Sequence, residues 1–132
     1  MKENKRQTVK KPARKAKAVD NTADVLDDLR AHLRPFRGKI DALDDKIMAL
    51  LAKRFAIVRA VGELKAAHNF PSYISDRVVQ VRERNAATGK KYGIDPDFVR
   101  MLYSLIIYQS CAEEDIIKHA QRTKRAKAKK QK

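Results

Sequence analysis

From Phe36 to Leu64 the apolar residues recur at alternating steps of four and three: Phe36, Ile40, Leu43, Ile47, Leu50, Ile57, Val61 and Leu64. Arg54 fills the one place in that series where another leucine would stand. This spacing is a helical heptad seam. It predicts one helix from Pro35 to about His68, about 50 Å long at 1.5 Å per residue. A chain of 132 residues has room for one modest domain. A helix of that length is too long for so small a domain to wrap. The seam therefore asks for a partner helix, and a second copy of the chain is the simplest source.

The rest of the chain reads as two shorter helices. Asn21 or Thr22 can cap an early helical stretch, with Asp24, Asp27 and Asp28 near its positive end. Pro35 then either kinks the helix or marks the first turn of the long one. "HNFPSYISD" breaks the long helix at Pro71. A second helix starts at Ser75 or Asp76, uses Val78, Val79, Val81 and Ala86 as its apolar residues, and ends at Gly89, or at Gly93 at the latest. "GIDPDFV" places Asp95 at an N-cap and Pro96 at the first helical position. The third helix runs to about His119, with Val99, Leu102, Leu105, Ile106, Ile107 and Ile117 in its core. No bounded period-2 run of β-branched residues suggests a strand. The absence of Trp and an aromatic share of only 6% suit such a core of Leu, Ile, Val and Ala. The expected architecture is all-α, three helices per chain.

Charge divides the chain further. Residues 1–20 hold eight Lys/Arg and two acids, and residues 118–132 hold eight Lys/Arg and none. The formal charge of +15 is therefore carried by two tails on a body that is nearly neutral. We expect a disordered basic tail over 1–20, a helical domain over 21–118 and a basic C-terminal tail over 119–132, which can extend the last helix. The tails are either solvated extensions or weak, non-specific binders of a polyanion. With one cysteine, Cys111, no disulfide forms within a chain, as suits a reducing cytoplasm. There is no apolar run long enough to span a membrane. The N-terminal stretch lacks the apolar segment of a secretory signal.

The polar residues on apolar faces carry the functional question. Lys65 lies eleven residues after Arg54. At 100° per residue that is about 20° from three full turns, so both cations share a face about 16 Å apart. Two unpaired cations on a partly apolar face are costly without an anion. Either acids of the other helices pair with them, or a small anionic ligand sits between them. Arg37 is 17 residues before Arg54, about 25 Å away along a straight helix. It is either a solvated surface residue or, if two long helices pair antiparallel, a neighbour of Arg54 in the other chain. Ser110 and Glu114 are i,i+4 neighbours on the third helix. A serine there can simply bond the i−4 carbonyl, and a glutamate there can simply be a surface acid.

Taken together, "RGKIDALDDKIMALLAKRFAIVRAVGELK", the Pro71…Asp76-Arg77 turn and "GIDPDFVRMLYSLIIYQS…E" resemble the all-helical chorismate mutases. The match covers about residues 34–118. The resemblance implies an intertwined homodimer with two sites lined by both subunits. It implies a dicarboxylate substrate with an enol-ether bridge, rearranged to prephenate in aromatic amino-acid biosynthesis or a secondary pathway. No metal, organic cofactor or nucleophile is implied. Arg54 and Arg37 of the partner subunit would clamp carboxylates, which planar guanidinium forks suit. Lys65 would donate to the ether oxygen. Arg77 would add a further cation, Ser110 a carboxylate contact, and Glu114 the second ether-oxygen donor. A carboxylate cannot donate a hydrogen bond, so Glu114 in that role needs a proton.

Two positions depart from the family pattern. Val78 and Ile74 stand where many members carry acids that hold the substrate's ring hydroxyl. The related isochorismate-pyruvate lyases also carry an apolar residue after the arginine of the second helix. Chorismate, isochorismate and an amino analogue of chorismate are therefore all open as substrates. So is a non-catalytic helical protein acting through its basic tails.

Overall fold

The computed structural model describes residues 21–132. The disorder expected of residues 1–20 lies outside the described residues. Three helices follow in order: α1 (Asn21–Ala67), α2 (Ser75–Lys91) and α3 (Pro96–Lys130). Among the described residues there is no strand, so the all-α expectation holds. The described residues divide into two units at the boundary between residues 42 and 43, and α1 crosses that boundary.

Pro35 does not start a helix; it lies inside α1. Its ring removes the bond that residue 35 would give the Ala31 carbonyl. Both residues are exposed, so water can serve that oxygen and the helix continues. The C-terminal end of α1 is also set earlier than Pro71. Asn69 adopts φ 57°, the Phe70 amide donates to the Lys65 carbonyl at 2.8 Å, and the Asn69 amide donates to Ala66 at 3.4 Å. That pair of bonds is a Schellman closure, with asparagine tolerating the left-handed position.

α2 ends the same way at Gly93, whose φ is 73°. The Ile94 amide reaches the Gly89 carbonyl at 2.9 Å. Gly89 itself is a helix residue rather than a terminator. A Cβ there would stand 2.6 Å from Val99 Cγ2, so the bare glycine lets α3 cross α2 closely. α2 starts at Ser75, as expected, and its N-cap is Ile74, with no side-chain bond. At α3 the expected start is observed, and Asp95 accepts from the Asp97 amide at 3.0 Å beside Pro96.

α3 continues to Lys130, well beyond His119, so the basic C-terminal tail is helix. Alanine, lysine and arginine dominate this stretch and are strong helix formers. In the second unit, the later part of α1 runs parallel to α3. Arg59 bonds Glu113 at 2.9 Å, and further along Glu63 accepts from Gln121. α2 is tied to α3 by Arg100, whose guanidinium meets Glu83 at 3.0 Å.

The single chain buries little. Ala66, Ala86, Val99 and Ile107 form its apolar core, whereas Leu102 and Leu105, expected inside, are 40% and 69% exposed. The α1 seam is equally open: Ile47, Leu50, Ile57 and Leu64 are each 50–68% exposed. The pattern that demanded a partner in sequence therefore finds none among the described residues.

Candidate active site

Three helices and one loop enclose a cavity of about 330 Å³ in the second unit. α1 contributes Arg54 and Lys65, α2 contributes Arg77 and Val78, and α3 contributes Ser110 and Glu114. Ser72 and Ile74 close it from the connection between α1 and α2. Five of the six proposed site residues thus line one cavity. The sixth, Arg37, is an exposed α1 residue of the first unit.

The helical stripe explains the first two. Arg54 and Lys65 face α3, and each meets a polar partner there. Arg54 Nη1 donates to Ser110 Oγ at 2.7 Å, while that hydroxyl donates to the Ile106 carbonyl at 2.7 Å. Ser110 therefore makes the local i−4 bond and also anchors the guanidinium. One Nη1 bond leaves the rest of the fork to bind elsewhere. No acid pairs with Arg54 among the described residues.

Lys65 does take an acid. Its Nζ lies 2.7 Å from Glu114 Oε2 and 2.9 Å from the Ser72 carbonyl. An ammonium has three donors, so one remains for a ligand in the cavity. Glu114 is no surface acid: it is 6% exposed. Its backbone is held close to α1 because position 62 is glycine. A Cβ on Gly62 would lie 3.2 Å from Glu114 Cα and 3.1 Å from Ile117 Cδ1.

Arg77 is more loosely held. Its Nη1 donates to Gln80 Oε1 at 2.7 Å on the exposed rim of α2. Val78 and Ile74 both line the cavity and present only hydrocarbon to it. Cys111 also lines the wall, half-buried rather than in the core. Burial pushes its thiol above the ordinary range and the Glu114 charge adds to that.

Sequence reasoning missed the support around Lys65. Ser72 Oγ donates to Asp115 Oδ1 at 2.6 Å, pinning the loop whose carbonyl holds the lysine. Lys118 Nζ ties the same loop through the Phe70 carbonyl at 2.9 Å. The one visible signal was the acid run Glu113-Glu114-Asp115 inside an apolar helix.

Chemically, Arg54, Arg77 and Lys65 offer three cations against one carboxylate, Glu114, in a partly apolar wall. The charge balance suits a small polyanion. Among the described residues no cluster of His, Cys, Asp and Glu could hold a metal ion. None of their helices is long and apolar enough to cross a membrane.

The comparisons with known proteins agree with this chemistry. The family model described as chorismate mutase type II matches residues 36–115. The chain is 37% identical over 92 residues to a 4-amino-4-deoxychorismate mutase of Streptomyces pristinaespiralis, covering 70% of this chain and 66% of the relative. A protein of the same description from Streptomyces venezuelae is 29% identical over 64% of this chain and 82% of its own length. The bifunctional chorismate mutase/prephenate dehydratase of Escherichia coli is 37% identical over 78 residues, 59% of this chain but only 20% of that larger enzyme.

Proposed function

The chain belongs to the type II chorismate mutase family, and from that footing we propose that it rearranges chorismate to prephenate. The observation that carries this reading is the convergence of Arg54, Lys65 and Glu114 on one cavity, each fixed by a partner on a different element. In the reaction one C–O bond of the ether bridge breaks while one C–C bond forms, so no atom enters or leaves. The protein need only hold the compact reactive conformer and stabilise charge growing on the ether oxygen. Arg54 clamps a carboxylate with the free part of its fork. Lys65 gives its third donor to the ether oxygen, and Glu114, once protonated, gives a second. Arg77 swings from the rim to the other carboxylate. Ser110 holds Arg54 in place.

The working unit in this reading is a homodimer. The exposed α1 seam pairs antiparallel with that of a second copy, burying Ile47, Leu50 and Leu64. That pairing carries Arg37 of the partner subunit toward the carboxylate at Arg54. A single cysteine, with no partner for a disulfide within the chain, fits a cytoplasmic setting.

A second reading is a mutase of 4-amino-4-deoxychorismate, favoured by the activity for which the two Streptomyces relatives are named. Desolvating an ammonium against valine and isoleucine costs more than desolvating a hydroxyl, which is why chorismate is placed first. Turnover of chorismate, 4-amino-4-deoxychorismate and isochorismate by the purified chain, side by side, decides among them. Arg54→Ala should abolish whichever activity is found. Turnover that survives it would overturn the site.

A further inference from the structure

The C-terminal part of α3 takes no part in the cavity. Side-chain contact between α1 and α3 runs only as far as Gln121 and Glu63. Beyond it the helix continues to Lys130 with every residue from Arg122 onward exposed. Residues 119–132 hold seven Lys/Arg and no acid. None of the seven has a hydrogen-bond or ion-pair partner among the described residues.

Their phasing is uneven. At 100° per residue, Arg122, Arg125 and Lys129 fall within about 60° of one another. Lys124, Lys127 and Lys130 lie around the opposite side. The stripe is spaced about 4.5 and 6 Å along the axis at 1.5 Å per residue. It is the continuation of Lys118, whose ammonium is already engaged with the Phe70 carbonyl.

We infer that the α3 extension is a docking surface for the phosphate backbone of a nucleic-acid duplex, engaged through Arg122, Arg125 and Lys129. The composition selects this occupant. No apolar side chain larger than alanine follows Ile117, so the helix has no face to bury in a lipid interface. No Phe, Tyr or Trp follows Tyr108, so it offers no stacking platform for single strands. A row of exposed cations along one helix face matches regularly spaced phosphates, contacts that carry no sequence preference.

The test is fluorescence anisotropy of a labelled 20-base-pair DNA duplex with the full chain, across a series of salt concentrations. The expected result is binding whose log K falls linearly with log salt. R122Q/R125Q/K129Q should lower that slope by about 2.7, at 0.9 per phosphate contact. The charge-matched K124Q/K127Q/K130Q should lower it by less than about one such contact. The basic residues of 1–20 are common to both variants, so their contribution cancels. Equal losses in the two variants would reduce the effect to net charge and overturn the stripe. So would absence of duplex binding, tighter binding to a single strand, or preference for phosphatidylserine vesicles or polyglutamate over the duplex. A shift in sedimentation of the stripe variant would overturn it as well, by assigning the row to contact between copies. Circular dichroism confirms that both variants stay helical. The readout is binding, so it stands whether or not the chain proves to be a mutase.

Discussion

Lys65 and Glu114 form an ion pair of 2.7 Å between side chains that are only 17% and 8% exposed. The pair joins α1 to α3 at the wall of the cavity, so the charge state of one group sets what the other can do. As a carboxylate, Glu114 accepts from Lys65 and can give nothing to a substrate oxygen.

Activity is therefore expected to fall as pH rises. The form that donates to the ether oxygen is the protonated one. On the alkaline side log kcat should drop with a slope approaching about −1 for a single required proton. Glu114→Gln, a permanent donor, should flatten the profile over the same range. A wild-type rate that is constant over a broad pH range would remove Glu114 from this role.

Ser72 and Asp115 should act through Lys65 without touching substrate. Ser72→Ala keeps the carbonyl that holds the lysine but loses the 2.6 Å bond to Asp115 that steadies it. A net hydrogen bond contributes about 1 kcal/mol, or roughly fivefold in rate if all of it reaches the transition state. The loss should fall on kcat more than on KM, and Ser72→Thr should restore most of it. Equal damage from the threonine variant would mean that packing, not the hydroxyl, matters here.

Gly62→Ala tests the helix approach that places Glu114. The added methyl meets Glu114 Cα at 3.2 Å, backbone that cannot simply rotate away. Overpacking of this kind costs about 1–3 kcal/mol. Thermal melting should show a Tm lower by several degrees, with kcat reduced as Lys65 and Glu114 separate. An unchanged Tm and rate would show that α3 shifts freely.

How much of this was legible beforehand depended on range. The seam from Phe36 to Leu64 and the Asp95-Pro96 start are local patterns, and both stand in the structure. The site cations were legible because Arg54 and Lys65 violate an apolar period on a shared face. Of the two glycines that could end α2, Gly93 does so, whereas the role of Gly89 lies in Val99 across the crossing, which no local pattern contains. The Ser72–Asp115 bond joins residues 43 apart in sequence and is equally invisible. The tail's extension of α3 was open in the sequence, and the helix propensity of its alanine, lysine and arginine run accounts for its length. Leu102 and Leu105 have the composition of core, yet their exposure in one chain points outward.

Val78→Glu should tighten the hold on a ring hydroxyl. Val78 lines the cavity beside Arg77, so an acid there has a nearby cation to offset its charge. One hydrogen bond to a charged acceptor contributes about 1.5–3 kcal/mol. KM for chorismate is expected to fall about tenfold if most of the lower figure is realised. Steady-state kinetics on chorismate and isochorismate check this. The gain should be larger for chorismate, whose hydroxyl sits where the acid would reach. An equal gain on both substrates would place the hydroxyl elsewhere.

The shared site has a sharper test in mixed dimers. If Arg37 acts in trans, Arg37→Ala and Arg54→Ala should each inactivate the homodimer, since every site then lacks one arginine. Unfolded together and refolded, the two chains form heterodimers in which one site carries both alanines and the other carries none. Random pairing in a two-fold dimer makes half of the dimers mixed, so roughly a quarter of wild-type activity should return. Sedimentation should show that both variants remain dimeric, and Leu50→Glu in the seam should instead yield inactive monomer. Two variants that stay dead on mixing would show that Arg37 does not act in trans, while leaving the roles of Arg54 and Lys65 intact.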